Sequence, residues 1–380
     1  MAEPGGSLPE ITLVANDVAA EGGMERQLRV LITGLVEAGH RVTVISRTCA
    51  LPPHPRLRWI RVPGPARPFA LTYPFFLVAA SVLVALRARG LVHATGAIVL
   101  NRTTVTTVHF CHSALADLPG FSRASKPGFA YRLNGWIARW MSRAAERWCY
   151  RPRRVRRLVG VSAGVGRELR QHFPAMGERI EVIPNGVDTD AFAPPAAARN
   201  GAAPDRLQAL FIGSEWKRKG LRVAIEALAG CPQAELTVVG RGDAAGYERL
   251  AVELGVADRV SFAGPTTDAA RWFQSADLLL LPTVYETFSL VTYEAAACGL
   301  PLLVTRVNGV EDLIRDGVNG WVIERDADQI AARLRQLAAD PELRRAMGEA
   351  ARRDSLEHSW ARVIERYRAL YAELAAETSR

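Results

Sequence analysis

Two glutamates mark the stretch of this chain in which residue type and spacing point most clearly to chemistry. Glu286 and Glu294, separated by seven residues, follow the apolar run Leu278–Leu281, which has the length and composition of a buried strand. The residues between the glutamates lead into a helix, whose first-turn N–H groups lack intrahelical partners and can bind a phosphate without a cation. We therefore expect Glu294 to lie about two turns into the helix, where it can accept hydrogen bonds from hydroxyls of a bound ligand, and Glu286 to lie in the loop before the helix. A solvated helix face would produce the same spacing.

The elements that would position such a site recur along the whole chain, as short β-branched apolar runs that alternate with longer helical patterns. In the first half, strands are predicted at 11–14, 42–46, 57–62, 91–94, 103–108, 155–161 and 179–183. In the second half, they are predicted at 207–212, 235–239, 259–262, 278–281, 301–304 and 321–323. This alternation is typical of βαβ units and of a parallel, doubly wound α/β sheet.

The alternation stops between residues 184 and 205, where PNGVDTDAFAPPAAARNGAAPD has the composition of a turn followed by a linker. We predict one Rossmann-like domain over residues 1–195 and a second over residues 196–355. Residues 356–380 are predicted to form a final helix that crosses back to the first domain. Because parallel sheets bind ligands at the carboxyl ends of their strands, we expect the two domains to face each other across a shared cleft.

Several segments of the chain resemble the retaining glycosyltransferases of family 4. They are YETFSLVTYEAAACGLP at 285–301, PNGVD at 184–188, FIG at 211–213 followed by KG at 219–220, NGVED at 308–312 and DGVNG at 316–320. Gly22 and Gly23 match the glycine loop of the family's acceptor domain, and GSEWKRKG at 213–220 is similar to enzymes that add glucose to lipopolysaccharide cores. The resemblance implies GT-B architecture, with a nucleotide-diphosphate sugar bound by the second domain.

The resemblance also implies roles for individual residues. Lys219, helped by Arg218, would neutralise the diphosphate that leaves, while Glu286 would bind a hydroxyl of the donor sugar and Glu294 the ribose. His109, directly after the predicted strand 103–108, matches the family's histidine that faces the donor sugar. Phe288, Ser289 and Leu290 would offer backbone N–H groups to phosphate and sugar. The glycines expected at the donor site are Gly22, Gly23, Gly213 and Gly240.

The chain departs from the family pattern at two positions. Ser214 stands where many members carry an arginine directly after the strand-end glycine, so one phosphate contact is missing or is supplied by Arg218. The histidine segment is His109-Phe-Cys-His112, where histidine followed by aspartate or glycine is common, so His112 is a second candidate for the histidine role. Retention is expected to follow from front-face attack, and double displacement stays open.

Two motifs offer other interpretations. Residues 160–164, Gly-Val-Ser-Ala-Gly, match the nucleophile elbow of α/β-hydrolases, with His358 and carboxylates such as Asp312 later in the chain. Ser162 could equally cap the helix that follows it, and this second interpretation is the one we favour. Asp188-Thr-Asp190 imitates a metal-binding D-x-D in a linker that offers no further ligands. We therefore expect neither a serine hydrolase nor a metal ion or other cofactor.

The excess positive charge lies in the first half of the chain. Residues 1–195 hold 25 lysines and arginines against 13 acidic residues, and five of the arginines fall within residues 151–157. Such a basic face indicates phosphates of nucleic acid, phosphates of an anionic lipid surface, or an arginine-rich solvated surface. Nucleic acid is not expected, because no aromatic-interleaved basic motif or zinc-ligand spacing accompanies the charge. We predict peripheral contact with anionic lipid.

The uncharged run at 69–86 meets the minimum length of a membrane span. Because Pro74 interrupts the run and a predicted strand follows it, we favour a helix buried against the sheet over a span or a helix on a membrane surface. The N-terminus has no basic flank followed by an apolar run, and the five cysteines are scattered. We therefore predict no signal peptide and a cytoplasmic location, peripheral at the inner face of the membrane.

The donor and the acceptor are predicted by class. A UDP-hexose is the favoured donor, with GDP-mannose as the alternative. The acceptor is expected to be a hydroxyl of a glycan, a glycolipid or another cell-envelope molecule, and the carrier of that hydroxyl can be lipid-linked or phosphorylated.

Overall fold

The structure is a computed structural model that describes residues 8–18, 23–65, 68–115, 129–195 and 206–378. The chain forms two compact units, one comprising Met1–Pro184 with Ala361–Arg380 and the other Asn185–Trp360. The boundary between the units therefore falls before the predicted position at 195/196. The end of the chain, from Ala361, groups with the first unit, which is the domain to which the final helix predicted at 356–380 was expected to cross back.

The first unit is built on a seven-stranded sheet. The strands of the first unit are β1 (Ile11–Val14), β2 (Asp17–Val18), β3 (Val42–Ser46), β4 (Thr48–Cys49), β5 (Leu57–Arg61), β6 (Leu91–Ala94), β7 (Thr103–Val108), β8 (Val155–Gly160) and β9 (Ile180–Val182). The helices between them are α1 (Gly23–Glu37), α2 (Phe69–Arg87), α3 (His112–Leu115), α4 (Phe129–Cys149) and α5 (Ala163–His172). The sheet has the order β5-β3-β1-β6-β7-β8-β9, with every pair parallel, and β2 and β4 form a separate short pair. The strand order reverses between β1 and β6, where open parallel sheets bind ligands.

The second unit repeats this plan with six strands. They are β10 (Leu207–Ile212), β11 (Ala234–Val239), β12 (Val260–Gly264), β13 (Leu278–Leu281), β14 (Leu302–Val304) and β15 (Gly320–Val322). Its helices are α6 (Trp216–Lys219), α7 (Leu221–Ala229), α8 (Ala245–Glu253), α9 (Ala269–Ser275), α10 (Leu290–Ala297), α11 (Ala327–Ala339) and α12 (Pro341–Leu356). The order β12-β11-β10-β13-β14-β15, again parallel throughout, reverses between β10 and β13.

The last helix, α13 (Trp360–Thr378), packs on the first unit through tyrosines that lie one helical turn apart. The hydroxyl of Tyr371 lies 2.6 Å from Nδ1 of His93, and that of Tyr367 lies 3.0 Å from Oγ1 of Thr107. The other ring nitrogen of His93 is 2.7 Å from the same Thr107 hydroxyl, so these four buried polar groups satisfy one another. Burial lowers the pKa of His93 to about 3, and the imidazole is therefore neutral.

Helix α2 differs from its prediction, because most of its apolar surface is exposed. The buried face of α2 is formed by Tyr73, Phe76, Ala80 and Val84. Only 28% of the apolar 18-residue stretch of this helix is buried. Pro74 lies inside the helix, near its start, and removes one backbone hydrogen bond without ending the helix. Within the described residues α2 is the one helix long and apolar enough to cross a membrane, by length and composition alone. The prediction that α2 is buried against the sheet is therefore wrong for most of the helix surface.

Candidate active site

Three predicted donor-site segments meet at the carboxyl edge of the second sheet. Gly213 directly follows β10, Gly240 directly follows β11, and the segment that contains Glu286 follows β13. Since β10 pairs with both β11 and β13 in parallel, these strand ends are neighbours. The sheet therefore brings residues far apart in sequence to one edge, which is the edge where this architecture binds ligands.

A cluster of opposite charges occupies this edge. Nζ of Lys219 lies 2.8 Å from Oε1 of Glu286, and the guanidinium of Arg218 lies 3.1 Å from the same oxygen. The hydroxyl of Thr283 also donates to that oxygen at 3.2 Å, and Arg218 donates to the backbone carbonyl of Tyr285. The side chains of Lys219 and Glu286 are only 9% and 13% exposed. Two cations are thus held against Glu286 in a partly desolvated place, and Arg218 also pairs with the exposed Glu215 at 2.9 Å. The formal charges of these four side chains balance, and the N–H groups of Lys219 and Arg218 are the donors that the cluster offers to an anionic ligand.

Local backbone geometry brings Lys219 over the strand end. Gly213 has φ +132°, and a Cβ there would lie 2.7 Å from Cε of Lys219, so only glycine lets this side chain cross. Trp216 donates its indole N–H to the carbonyl of Gly213 (2.9 Å) and fixes the turn. Gly220 ends α6 at φ +85°, where a Cβ would lie 2.1 Å from the carbonyl oxygen of Pro282. The segment after β10 therefore packs closely on the segment after β13.

Gly240 supports this turn from the neighbouring strand. Its φ is +133°, and a Cβ there would lie 2.2 Å from the carbonyl oxygen of Gly213. The backbone N–H of Gly213 donates to the carbonyl of Val239 at 2.8 Å, so the two strand ends are tied directly. Gly240 thus acts on Gly213 through close backbone approach.

The start of α10 is held by a second loop. Ser289 precedes the helix at φ +49°, an uncommon conformation for a residue with a side chain, and its hydroxyl lies 2.8 Å from that of Thr292. Gly309 approaches so closely that a Cβ there would lie 2.5 Å from Cα of Phe288. Tyr293 stacks on Phe288 with ring centroids 4.3 Å apart and donates its hydroxyl to the carbonyl of Gly309 (2.7 Å). The N-terminus of α10 is thereby fixed in direction.

Glu294 lies on α10 just past the first helical turn, nearer to the helix start than the two turns expected from the sequence. It is the fifth residue of the helix that begins at Leu290, and its side chain is buried. Burial raises the pKa of the Cys298 thiol, one turn later, and the carboxylate of Glu294 raises it further. Glu286 and Glu294 thus sit on either side of the helix start, as their spacing indicated.

The histidine candidates lie in the first unit. His109 directly follows β7, at the carboxyl edge of that sheet, and His112 is the first residue of α3. Burial lowers the pKa of His109 and of His112 to about 4, so both imidazoles are neutral at pH 7. His112 meets the ring of Phe110 edge-on, with centroids 4.8 Å apart. Gly23 is the first residue of α1, whereas Gly22 lies outside the described residues.

The motifs that suggested other chemistries have structural roles. The hydroxyl of Ser162 is fully buried and accepts a hydrogen bond from the N–H of Val165 at 3.1 Å, as the N-cap of α5. The carboxylate of Asp188 accepts from the N–H groups of Asp190 (3.2 Å) and Ala191 (2.9 Å), which closes a turn. His358 belongs to the second unit, whereas Ser162 belongs to the first. Within the described residues, no group of three or more metal-ligating side chains converges.

Four residues support the site without having been assigned a role from the sequence: Thr283, Trp216, Tyr293 and Gly309. Thr283 follows β13 and its backbone carbonyl accepts a hydrogen bond from the hydroxyl of Thr305 at 2.6 Å, which links two strand ends. Gly309 lies within the NGVED segment that the sequence analysis singled out. Because glycine allows a close approach of backbone, its residue type could have indicated this contact. Trp216 and Thr283 bond within three residues, to Gly213 and Glu286, but their residue types do not indicate these contacts. The partner of Tyr293, Gly309, lies 16 residues away.

Comparison with known proteins covers both units. Residues 21–191 match the family model described as Glycosyltransferase Family 4, and residues 195–354 match that described as Glycosyl transferases group 1. The D-inositol 3-phosphate glycosyltransferase of Geodermatophilus obscurus is 35% identical over 242 residues, which is 58% of this chain and 53% of the relative. The protein of the same name from Nocardiopsis dassonvillei is 31% identical over 245 residues, 59% of this chain and 57% of the relative. In these alignments the chain spans about half the length of the curated relatives it matches.

Solved structures share the fold at low sequence identity. WaaG, a glycosyltransferase involved in lipopolysaccharide biosynthesis, has a TM-score of 0.75 at 23% identity, covering 95% of this chain and 99% of that chain. Sucrose-phosphate synthase from Thermosynechococcus elongatus has a TM-score of 0.78 at 22% identity, covering 97% and 100%. Anabaena HepE in complex with UDP has a TM-score of 0.71 at 17% identity, covering 96% and 100%.

Two Rossmann-like α/β units, each with a parallel doubly wound sheet, define the GT-B fold. The chain belongs to the glycosyltransferases, with a family 4 domain in its first half and a group 1 domain in its second. The narrower likeness to lipopolysaccharide-core glucosyltransferases stays a prediction, since WaaG at this identity shows the fold alone.

Proposed function

We propose that this protein transfers a hexose, with retention, from a nucleotide-diphosphate sugar to a hydroxyl of a cell-envelope acceptor. The observation that carries the proposal is the cluster of Lys219 and Arg218 on Glu286, beside the start of α10. Two cations and a helix N-terminus are a site for a diphosphate, and they stabilise the charge that develops on it as the glycosidic bond breaks. A rigid arrangement of this kind acts without reorganisation during the reaction.

Each of the other residues has a part in this proposal. Phe288, Ser289 and Leu290 offer backbone N–H groups to phosphate and sugar, and Glu294 binds the ribose. Glu286 holds a sugar hydroxyl, and its described hydrogen bonds all use Oε1. His109 is neutral and is proposed to hydrogen-bond the donor sugar.

The reaction is front-face transfer. The bond from the anomeric carbon to the diphosphate breaks, an oxocarbenium-like centre forms, and the acceptor oxygen attacks from the face the diphosphate leaves. The acceptor proton passes to the departing phosphate oxygen, so the products are the glycoside and the nucleoside diphosphate. Gly213 and Gly240 hold the turn that precedes α6, whose last residue is Lys219, and the transfer is proposed to proceed without a metal ion.

UDP-hexose is the proposed donor and GDP-mannose the alternative. The presence of UDP in the HepE complex supports a uridine nucleotide at this fold. We expect UDP and one UDP-hexose to raise the thermal midpoint of the protein in the presence of EDTA, because a ligand that binds the native state stabilises it. The measurement is a thermal-shift screen of UDP, GDP and their hexose conjugates, with and without manganese. A shift only with GDP-mannose would show that GDP-mannose, and not a UDP-hexose, is the donor. A shift only in the presence of manganese would contradict the proposal that no metal ion is needed.

The acceptor is proposed to be lipid-linked or phosphorylated. The curated relatives are named for D-inositol 3-phosphate, a phosphorylated compound. The surface of the first unit favours a lipid-linked one. Leu71, Phe75, Val78, Val82 and Leu86 are exposed along one side of α2.

The neighbouring helix α4 carries two further exposed apolar side chains. Trp136 and Trp140, one turn apart on α4, are 60% and 63% exposed, and α4 packs against α2, with Asn134 accepting a hydrogen bond from the N–H of Ala70. Arg139 lies exposed between the two tryptophans, and Arg87 is exposed at the end of α2. Tryptophan and arginine beside an apolar face fit the interface of an anionic bilayer. We propose that this surface, α2 with Trp136 and Trp140, makes peripheral contact with the cytoplasmic face of the membrane.

The arginines at 151–157 contribute less to this contact than their number suggests. Arg156 and Arg157 form ion pairs with Glu377 of α13, and Arg157 also pairs with Glu373 and Glu181. Arg151 and Arg154 lie over the ring of Trp148. The run is therefore engaged largely within the unit, and the membrane contact rests on the apolar surface.

We expect vesicles that contain anionic lipid to co-sediment the wild-type protein, and a Trp136→Ser/Trp140→Ser or Val78→Ser variant to bind them less. Both changes are on exposed side chains, so the fold is expected to stay intact. Val252→Ser is the matched control for Val78→Ser, because Val252 is 67% exposed on α8 of the second unit and Val78 is 57% exposed. Binding should weaken in high salt, since screening shortens the range of the arginine attraction. Equal loss in the control variant, or no binding by the wild type, would contradict the proposed contact.

A further inference from the structure

Glu146 is a buried carboxylate that the proposed reaction does not use. It lies near the end of α4, in the first unit, and is 1% exposed. Burial raises its pKa to about 7, although hydrogen bonds from His112 and Ser113 lower it. Burying such a group opposes folding unless its hydrogen bonds are satisfied, so its contacts indicate what it is for.

Those contacts all go to the start of α3. One carboxylate oxygen accepts the backbone N–H of His112 at 2.7 Å. The other accepts both the backbone N–H of Ser113 at 2.9 Å and its hydroxyl at 2.8 Å. Two successive N–H groups are therefore bound by two oxygens of one side chain, which fixes both the place and the direction of this backbone.

The described part of helix α3, His112–Leu115, is a single turn, which needs such support. A helix of four residues has first-turn N–H groups without internal partners, and nucleation of an isolated turn is unfavourable. Its described internal bond runs from the N–H of Leu115 to the carbonyl of Cys111, at 3.1 Å. Cys111 is fully buried, and burial raises the pKa of its thiol to about 12, so it packs as an uncharged apolar group. The start of α3 is therefore held by the hydrogen bonds of Glu146 and by the buried packing of Cys111.

The anchored segment begins at His109. Only Phe110 and Cys111 separate His109 from the backbone that Glu146 holds. On its other side, His109 is fixed by β7, whose last residue Val108 pairs with Gly160 of β8. We infer that Glu146 is a positioning residue, which holds the segment from His109 to Leu115 so that the imidazole of His109 keeps the orientation sugar transfer requires. This inference rests on the role proposed for His109.

Glu146→Gln tests the inference with little change of volume. The amide presents N–H donors where one carboxylate oxygen accepted, so one of the two backbone contacts is lost. We expect kcat to fall by about 10-fold or more while KM for the donor changes less than about twofold, because the residues proposed to bind the nucleotide of the donor belong to the second unit. Glu37→Gln is the matched control, since Glu37 is an exposed glutamate on α1 of the same unit.

A double-mutant cycle distinguishes positioning from general structural support. If Glu146 acts through His109, Glu146→Gln should change kcat by less than about twofold in a His109→Ala background. An equal loss in both backgrounds would overturn the inference, and so would a His109→Ala variant with normal turnover. Ser113→Ala, which removes only the hydroxyl donor, gives a milder perturbation of the same contact should Glu146→Gln fail to fold.

Amide hydrogen exchange tests the contact without any turnover. The peptide that contains residues 109–115 should exchange faster in Glu146→Gln than in the wild type or in Glu37→Gln, while peptides of residues 206–360 stay unchanged. Unchanged exchange at 109–115 would overturn the inference. A wild-type protein without transfer activity would contradict the proposed function instead, and the exchange measurement would still decide whether Glu146 holds this segment.

Discussion

Replacing Lys219 with alanine is expected to lower kcat by a factor of about 10² to 10³, because one preorganised electrostatic contact to the leaving group is lost. Lys219 is nine-tenths buried and lies 2.8 Å from Glu286, so its charge acts where water screens it little. The diphosphate gains charge as the glycosidic bond breaks, and a contact that strengthens with this charge affects turnover more than ground-state binding. Steady-state kinetics with saturating donor measures the loss directly.

The control for this variant is two residues away. Lys217 is exposed on the same short helix, so Lys217→Ala removes an equal charge from outside the cluster and should leave kcat within about twofold. Lys219→Ala should keep a thermal midpoint close to that of the wild type, because Arg218 still pairs with Glu286 at 3.1 Å. Near-normal turnover of a folded Lys219→Ala variant would remove this residue from the mechanism.

The two glutamates are expected to separate binding from turnover. Glu294→Gln should weaken binding of the nucleoside diphosphate roughly 10-fold or more, since a hydrogen bond to a charged group contributes about 1.5–3 kcal/mol. Glu286→Gln should lower kcat while sparing that affinity. Its neutral amide leaves the charge of Lys219 and Arg218 less compensated, so the diphosphate still meets two cations.

Calorimetric titration of the nucleoside diphosphate and steady-state kinetics, done on both variants, test this separation. Each variant is the control for the other, because both replace a carboxylate by an amide of the same shape. If Glu286→Gln lost the affinity and Glu294→Gln lost only turnover, the two roles would have to be exchanged. If neither variant differed from the wild type, the helix start at Ser289 would not be the donor site.

Prediction from the sequence was most effective where chemistry and local pattern coincide. The run Leu278–Leu281 is a buried strand, and Glu286 and Glu294 lie on either side of the helix start that follows it. Apolar runs bounded by turn residues determine strands locally, and parallel sheets have their ligand edge at the strand carboxyl ends. The general position of the candidate site therefore follows from local signals.

Contacts between distant segments were beyond such reasoning. Lys219 and Glu286 lie 67 residues apart and meet because β10 and β13 are neighbours, which no local pattern states. The left-handed backbone of Ser289 has no signal in its residue type. The close approach of Gly309 to Phe288, the residue before Ser289, joins segments that are 21 residues apart. Arg156 and Arg157, which the sequence suggested as part of a basic surface, likewise form ion pairs with the final helix, and no local pattern indicates these pairs.

Helix α2 shows the same limit for burial. The uncharged run, with Pro74 inside it and a strand after it, predicted a helix buried against the sheet. Composition alone does not say which faces of a helix pack against other elements. The structure covers one face through Tyr73, Phe76 and Ala80 and exposes the other, which carries Leu71 and Val78. An apolar run of this length is therefore informative about the helix and uninformative about what lies against it.

The most direct test of the central claim measures release of the nucleoside diphosphate together with sugar transfer. Wild-type protein and Lys219→Ala would be incubated, in EDTA, with UDP-hexoses and with GDP-mannose, using a bacterial membrane lipid extract or inositol phosphate as the acceptor. The account predicts that the wild type releases UDP and forms a glycoside with retained anomeric configuration, and that the variant stays near background. No release from any of these donors by the wild type, or equal release by Lys219→Ala, would contradict it.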